Sequence, residues 1–341
     1  MPEADPKGDR CAKTALHEGA FNSGCDDVAD MTRITRIGVH PSITAFDPPT
    51  LVDALSDVTP EVVVDDSVET VAECDALVTL HHREAFLEAG LEWIHLPSAG
   101  VDHFPVERYR RAGVVVTNSS GVHSECMAEN ALGLMLTHAH RLREFYEGQD
   151  EREWRRDVAW REKFTLHGES ATVVGLGAIG GTVADYAARV GMRVTGVKRT
   201  PDTRPTLERV VAPEDLHAAV EDARFVVLCV PLTEDTRRLF STPEFERMRE
   251  DAFLINVSRG DVVDEMALVD AIERREIRGA ALDVFETEPL PEESPLWGME
   301  EVYVMPHVSG AFRDYYAKVA DLVRENLSRI EDDRSLVNQV T

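Results

Sequence analysis

The sequence predicts an α/β protein of two lobes, each a parallel sheet flanked by helices, with a cleft between them. Three observations carry this. Short β-rich runs alternate with helical patterns, as parallel strands joined by helical crossovers do. The alternation falls into two blocks of similar size with a long helical pattern between them. A chain of 341 residues that is 43% apolar is long for one core and suits two.

Taken in order, residues Met1–Asp30 are polar, contain Pro and Gly, and lack the apolar stretch of a signal peptide. They read as a leader that is disordered or packs peripherally. The first block has strand signals at Thr35–Val39, Glu61–Asp65, Ala76–Leu80, Glu92–Leu96 and Gly113–Thr117, with helical patterns such as Arg83–Glu88 and Pro105–Arg111 between them. A long helix is expected from about Ser124 to Glu147; Met127 to Leu136 is apolar almost all round, which predicts burial between layers. The charged segment Gly148–His167 holds Trp154 and Trp160 and reads as a loop or an arm that packs on a partner subunit. The second block has strand signals at Ala171–Val174, Arg193–Val197, Phe225–Val230, Phe253–Val257, Ala280–Val284 and Val302–Met305, with a clear helix at Glu265–Arg275. An amphipathic helix, Phe312 to Ile330, closes the chain. No internal repeat is visible, and no run approaches the roughly 18 to 20 apolar residues of a membrane span.

Asp and Glu number 63 against 36 for Lys and Arg, a formal net charge of -27. Such a surface repels duplex nucleic acid, whose binders neutralise phosphates with basic patches. Lys7, Lys13, Lys163, Lys198 and Lys318 are the only lysines. A surface rich in acids and poor in Lys resembles proteins of salt-loving archaea, where dense salt screens the self-repulsion. The cysteines, Cys11, Cys25, Cys74, Cys126 and Cys229, are odd in number and lack CxxC spacing, which argues against a disulfide framework or a zinc site. Cys74, Cys126 and Cys229 sit among apolar neighbours and are expected as small buried residues. A cytoplasmic protein with reduced thiols and no metal is expected.

The strongest local motif is Gly175-Leu176-Gly177-Ala178-Ile179-Gly180, between the strand Ala171–Val174 and a helix over Thr182–Arg189. Gly175 permits the tight turn, Gly177 lets backbone approach a pyrophosphate, and Gly180 lets the helix pack on the sheet. The helix N-terminus offers free N–H groups to that anion. The next strand, Arg193–Val197, should end beside the adenosine ribose, where NAD-binding proteins place Asp or Glu. Here Val197-Lys198-Arg199-Thr200 follows, so two cations and a hydroxyl replace the acid and favour a 2′-phosphate. NADP(H) is therefore the expected cofactor, with NAD(H) a possible substitute.

Three further segments lie at strand ends: Ile255-Asn256-Val257-Ser258-Arg259-Gly260, then Leu282-Asp283-Val284-Phe285-Glu286-Thr287-Glu288-Pro289, then Met305-Pro306-His307-Val308-Ser309-Gly310. Together with Cys229-Val230-Pro231-Leu232-Thr233 and the glycine loop, they resemble the D-isomer-specific 2-hydroxyacid dehydrogenase family. The resemblance spans about Thr35 to Ile330. It implies a flavodoxin-like and a Rossmann-type lobe, with a substrate domain of residues 31–132 plus 309–341 and a dinucleotide-binding domain of 133–308. It also implies a homodimer with contacts through the cofactor lobe.

Chemistry and resemblance assign the same roles. Reduction of a keto group needs a hydride from the nicotinamide and a proton on oxygen. His307 suits the proton, because an ordinary histidine titrates near working pH. Glu288 would orient the imidazole and favour its protonated form. Arg259 would clamp the substrate carboxylate and polarise the carbonyl with its planar donor fork. By resemblance, the N–H groups of Ala99 and Gly100, in Pro97-Ser98-Ala99-Gly100-Val101-Asp102, would hold that carboxylate with Arg259 and His307. His103 stands where the family often has Asn, and Asn130 where it has His in Ala128-Glu129-Asn130, a position expected to be structural. Asp283 would hold the nicotinamide carboxamide; Gly175, Gly177, Ala178, Ile179, Gly180, Val230, Pro231, Val257 and Ser258 complete the cofactor site.

The expected reaction reduces a small 2-keto acid to a D-2-hydroxy acid. Glyoxylate, hydroxypyruvate, pyruvate and branched 2-keto acids all fit, and Leu80-His81-His82 is expected to line the side-chain pocket. Two alternatives remain open. Formate or phosphite oxidation occurs on this architecture, but formate dehydrogenases of this type have Gln where this chain has Glu288. Some relatives are corepressor-like nucleotide sensors, against which an intact Arg259, Glu288 and His307 argue.

Overall fold

The computed structural model describes residues 33–341. The expected leader, with Cys11 and Cys25, lies outside the described residues. Five parallel strands, β1 (Arg36–Val39), β2 (Glu61–Val64), β3 (Ala76–Val78), β4 (Trp93–Leu96) and β5 (Val115–Asn118), form one sheet in the order β2-β1-β3-β4-β5. Seven more form a second parallel sheet: β6 (Ser170–Val174), β7 (Arg193–Val197), β8 (Arg209–Val211), β9 (Phe225–Leu228), β10 (Phe253–Asn256), β11 (Gly279–Leu282) and β12 (Val302–Val304), in the order β12-β11-β10-β9-β6-β7-β8. Both are doubly wound α/β sheets, as expected. The first reverses direction between β1 and β3, the second between β6 and β9, and ligands of such sheets bind at the carboxyl ends beside those points.

The central strands form where the sequence is continuously apolar, because helices cover both faces. All four residues of β9, Phe225 to Leu228, are fully buried. Phe225 and Val227 join one core, with Ala128, Leu134 and Ala184, while Val226 and Leu228 join the other, with Phe240, Leu254 and Leu268. The short edge strand β8 was not expected; with an exposed Arg209 and two half-buried valines it carries no apolar run.

Two expectations for the middle of the chain need correction. The helix after Ser124 stops at His140, Arg141 adopts φ 53°, and a second helix runs Leu142–Glu151. No Gly or Pro marks the break. Contacts across the fold hold it instead: Arg141 pairs with Glu144 and Glu162, and Arg143 Nη1 donates to the carbonyls of Glu300 and Val302 at 3.2 and 2.8 Å. Nor is the first helix apolar all round in space. Ala128, Ala131, Leu134, Met135 and Ala139 are buried, while Glu129 and Gly133 face out. Those small residues share a core with Val183, Ala184 and Ala187 of the glycine-loop helix (Ala178–Arg189), against which this helix packs. The charged segment that follows contains the helix Arg156–Glu162 and leaves Trp154 and Trp160 at 92% and 79% exposure.

The last helix, Tyr315–Glu331, returns to the first lobe, where Val319, Ala320, Val323 and Leu327 pack with Ile37, Val39, Leu51 and Leu55. Beyond it the chain pairs antiparallel with β5, through Asn118 N–H to the Asn338 carbonyl (3.1 Å) and Val340 N–H to the Val116 carbonyl (2.9 Å). Of the three cysteines expected in the core, Cys74 is buried, whereas Cys126 and Cys229 are partly exposed. Burial still pushes the Cys229 thiol up to about 12.

Of the three histidines buried among the described residues, His95 and His138 should make the fold acid-sensitive. His138 stacks on Phe253 with ring centroids 4.0 Å apart. His95 bonds Thr117 Oγ1 at 2.9 Å and Ser119 Oγ at 3.1 Å. Burial lowers both to about 3, with Arg141, Arg224 and Arg278 adding to the shift at His138. In the unfolded chain both titrate near 6.5, so only the unfolded state gains protons as pH falls from there toward 3. Stability is full above about pH 7 and drops by about 1.4 kcal/mol per pH unit for each group inside that window. His138→Phe should therefore lose about 2 kcal/mol less than wild type between pH 7 and pH 5, read from urea midpoints. A pH-independent difference between the two proteins would refute this.

Candidate active site

The turn after β10 is folded by its own polar side chains. Asn256 Oδ1 accepts from Ser258 N–H (3.0 Å) and Ser258 Oγ (2.7 Å), and Asn256 Nδ2 donates to the Arg259 carbonyl at 2.9 Å. Val257 and Ser258 are buried, and Arg259 projects toward the first lobe. Its Nε and Nη2 donate to the two carboxylate oxygens of Asp102, at 3.3 and 3.1 Å, and Nη1 donates to the Ser258 carbonyl at 2.7 Å. Partial burial raises the Asp102 carboxyl, but the hydrogen bonds and charge of Arg259 outweigh it and hold it below the ordinary range. Asp102 thus occupies one side of the guanidinium fork. A guanidinium has five N–H donors, so one hydrogen on each of Nη1 and Nη2 is left for a ligand.

The 97–102 loop lies against this arginine. A Cβ on Gly100 would fall 1.9 Å from Arg259 Nη2 and 2.8 Å from Asp102 Oδ1, so a larger residue would push this ion pair aside. Asn118 Nδ2 donates to the Ala99 carbonyl and Ser98 Oγ to the Gly100 carbonyl, both at 2.8 Å, which fixes the loop. The N–H groups of Ala99 and Gly100 have no hydrogen-bond partner among the described residues.

On the neighbouring strand ends, His307 Nδ1 contacts Glu288 Oε2 at 2.7 Å, and Glu288 Oε1 accepts from Phe285 N–H at 3.0 Å. His307 has φ 52° and a half-exposed side chain. The buried Asp283 accepts from Val308 N–H at 2.7 Å and Ser309 N–H at 2.9 Å, pinning the residues just beyond His307. Each of its oxygens keeps a second lone pair, so the expected contact with a carboxamide is additional to a structural job that was not expected. Behind this turn, Glu286 N–H donates to Glu265 Oε1 (2.6 Å) and Glu265 N–H to Glu286 Oε1 (3.3 Å). Burial raises the Glu265 carboxyl, against the opposing hydrogen bond from Glu286, and the charges of Glu286, Asp261 and Glu288 raise it further.

The glycine loop fits a dinucleotide. Gly175 has φ 93° and passes so close to Cys229 that a Cβ would be 2.6 Å from that carbonyl; Gly180 would meet the Gly175 carbonyl at 1.8 Å. Gly177 faces open space, and no side chain caps the helix that starts at Ala178, so its first N–H groups point outward as a pyrophosphate requires. Ile179 is partly buried, and Val230 packs on Gly175, with its Cγ1 2.8 Å from where a Cβ would be. Pro231 is exposed, its carbonyl accepting from Thr236 Oγ1 at 2.5 Å. At the end of β7, Lys198 Nζ is held by Asp202 Oδ2 at 2.9 Å, while Arg199 and Thr200 are exposed. Among the described residues no group of three or more His, Cys, Asp or Glu could hold a metal, and no helix is long and apolar enough to cross a membrane.

A glycine loop at the switch point, with Arg, Glu and His on three adjacent strand ends, defines a nicotinamide-nucleotide oxidoreductase. Residues 132–309 match the model of the D-isomer-specific 2-hydroxyacid dehydrogenase NAD-binding domain. The chain is 36% identical over 286 residues to a glyoxylate reductase of Korarchaeum cryptofilum, covering 80% of this chain and 85% of that one. Among solved structures, a D-isomer-specific 2-hydroxyacid dehydrogenase from Xanthobacter autotrophicus, in complex with NADPH and MES, superposes with a TM-score of 0.80 at 30% identity, covering 90% of this chain and 98% of that one. An NADPH-dependent glyoxylate/hydroxypyruvate reductase from Sinorhizobium meliloti, with NADP and malonate, gives a TM-score of 0.74 at 28% identity, covering 90% and 97%. The chain belongs to the D-isomer-specific 2-hydroxyacid dehydrogenase family. It is an NAD(P)-dependent oxidoreductase acting on the CH–OH group of 2-hydroxy acids.

Proposed function

We propose that this protein is an NADPH-preferring reductase that converts small 2-keto acids, glyoxylate and hydroxypyruvate foremost, to 2-hydroxy acids, of D configuration where the product is chiral. The observation that carries this is the juxtaposition of Arg259 with the Ala99–Gly100 loop. Two free guanidinium hydrogens and two unpartnered backbone N–H groups suit one carboxylate beside a polarised carbonyl. In this reading residues 31–132 with 309–341 form the substrate lobe, and 133–308 the cofactor lobe. The nicotinamide, when bound, supplies the hydride. Arg259 holds the substrate carboxylate and polarises the keto oxygen, and His307 gives that oxygen its proton. Glu288 holds the imidazole, and the fixed turn 285–288 holds Glu288. The carboxylate at Glu288 and the relatives' printed activities favour keto-acid reduction over formate oxidation.

The test is NADPH oxidation with glyoxylate, hydroxypyruvate, pyruvate and a branched 2-keto acid, with product configuration read by chiral chromatography. The expected result is turnover to the D product and a kcat/KM for NADPH at least about tenfold above NADH, or about 1.4 kcal/mol. Lys198→Asp should reduce or invert that ratio. Tight nucleotide binding with no turnover of any keto acid would favour a sensor instead.

The exposed aromatics Tyr146, Trp154 and Trp160 support a homodimer docked through the cofactor lobe, since large exposed apolar groups mark contact sites. Light scattering should give twice the 37.9 kDa chain mass, and Trp154→Ala with Trp160→Ala should shift the protein toward monomer. A wild-type monomer at micromolar concentration would end this reading.

A further inference from the structure

The loop between β7 and β8 carries a cation to the glycine loop that the strand-end motif does not contain. Arg204 Nη2 donates to the Leu176 carbonyl at 3.3 Å, inside the Gly175–Gly180 turn. Its Nη1 lies over Gly181, where a Cβ would approach it to 2.7 Å. Gly181 stands on the first turns of the Ala178–Arg189 helix, where alanine would be better by about 1 kcal/mol on propensity alone. The absent side chain lets the guanidinium lie this close to the helix, and a Cβ here would push it outward. The Arg204 side chain is 28% exposed, so one side of it remains open.

Lys198 is less free than the sequence implied. Its ammonium is held by Asp202 at 2.9 Å, and Asp202 also lies 4.0 Å from Arg204 Nε. The hydrogen bond from Lys198, helped by its charge and that of Arg204, outweighs the opposing effect of burial and keeps the Asp202 carboxyl below its ordinary range. A carboxylate therefore sits between two cations at the corner where an adenosine ribose meets the glycine loop. A phosphate there carries more charge and more acceptor oxygens than the carboxylate it would replace.

The geometry points to Arg204 as an additional cofactor-specificity residue: its guanidinium, seated on Gly181, binds the 2′-phosphate of NADPH, and Asp202 is the internal anion that this phosphate displaces from Lys198. The assignment rests on the NADPH reading above. It separates two functions within one loop. Arg204 supplies a cation held in place by the fold, while Asp202 weakens the site for phosphate and keeps Lys198 neutralised when a cofactor without the 2′-phosphate is bound.

The test uses the full chain and binding alone. 2′,5′-ADP and 5′-AMP are titrated calorimetrically at one fixed salt concentration. Wild type is expected to bind 2′,5′-ADP the more tightly; a preference for 5′-AMP would overturn the NADPH reading itself. Given that preference, Arg204→Ala should weaken 2′,5′-ADP by about 10- to 100-fold, the range for a lost charged hydrogen bond, and change 5′-AMP by less than about threefold. Gly181→Ala, which keeps the arginine but fills its seat, should move the ratio in the same direction by a smaller factor. Asp202→Asn should tighten 2′,5′-ADP by about 3- to 10-fold. An unchanged ratio in Arg204→Ala, or equal weakening of both ligands, would overturn the role of Arg204. An unchanged ratio in Asp202→Asn would overturn the displacement.

Discussion

Replacing His307 by Ala should lower kcat for keto-acid reduction by about 10²–10⁴-fold and leave nucleotide affinity within a few-fold, because a general acid acts in the chemical step. In the proposed mechanism the nitrogen involved would be Nε2. Nδ1 is committed to Glu288 Oε2 at 2.7 Å, so Nε2 is the free nitrogen of the half-exposed ring. In the proposed reduction the nicotinamide would supply the hydride to the carbonyl carbon, the C=O π pair would move to oxygen, and that oxygen would take the proton from Nε2. The neutral imidazole then recovers its proton from solvent. Two features hold the ring for this. Glu288 is fixed through its second oxygen by Phe285 N–H, and the left-handed backbone at His307, a conformation that costs about 1–3 kcal/mol, is followed by two N–H groups tied to the buried Asp283. Glu288→Gln keeps the shape but loses the charge and should fall between wild type and His307→Ala. Unchanged kcat in His307→Ala would remove the histidine from the mechanism.

How much of this could be read beforehand depended on the range of each interaction. Strands such as Phe225–Leu228 were legible because a doubly covered strand is a continuous apolar run, and the glycine loop because its backbone needs special residues at fixed spacing. The positions of Arg259, Glu288 and His307 at strand ends were legible for the same reason. Asp102 lies in a loop legible from sequence, but its pairing with Arg259 joins residues 157 apart and leaves no local trace. The break at Arg141 is set by partners on distant elements, Glu162 and the carbonyls beside β12, so helical periodicity ran straight through it. The antiparallel pairing of Asn338 and Val340 with β5 was hidden because an edge strand is recognised by its neighbour, not by its own pattern. Arg204 was missed for a related reason. The strand-end motif ends at Thr200, whereas the residue that reaches the glycine loop comes from farther along, and its signal is a helical glycine, Gly181, with no turn to explain it.

Transfer from molar KCl to dilute buffer should unfold or inactivate the protein. Acidic groups exceed basic ones by 27, and pairing cannot remove the excess. Many basic groups are already used: Arg110 with Glu107, Arg329 with Glu325 and Arg155 with Glu153 are among the pairs at the surface. Pairs of this exposed kind contribute about 0–1 kcal/mol each, and salt weakens them only modestly in absolute terms. The unpaired acids act oppositely. Two unit charges about 20 Å apart in water repel by about 0.2 kcal/mol, and each excess acid feels many others. At 0.1 M salt the screening length is about 10 Å, and at 1 M about 3 Å, so molar salt removes nearly all of this repulsion while dilute buffer restores it. The folded chain concentrates the charge more than the unfolded one, and the difference is set against a total stability of only about 5–15 kcal/mol. The melting temperature should therefore rise by tens of degrees between about 0.05 M and 3 M KCl. Screening, rather than exclusion of solute from the surface, should do this, so millimolar MgCl₂ should recover part of the gain and molar sucrose much less. Equal melting temperatures in dilute buffer and molar KCl would sink the proposal that the protein is built for concentrated salt.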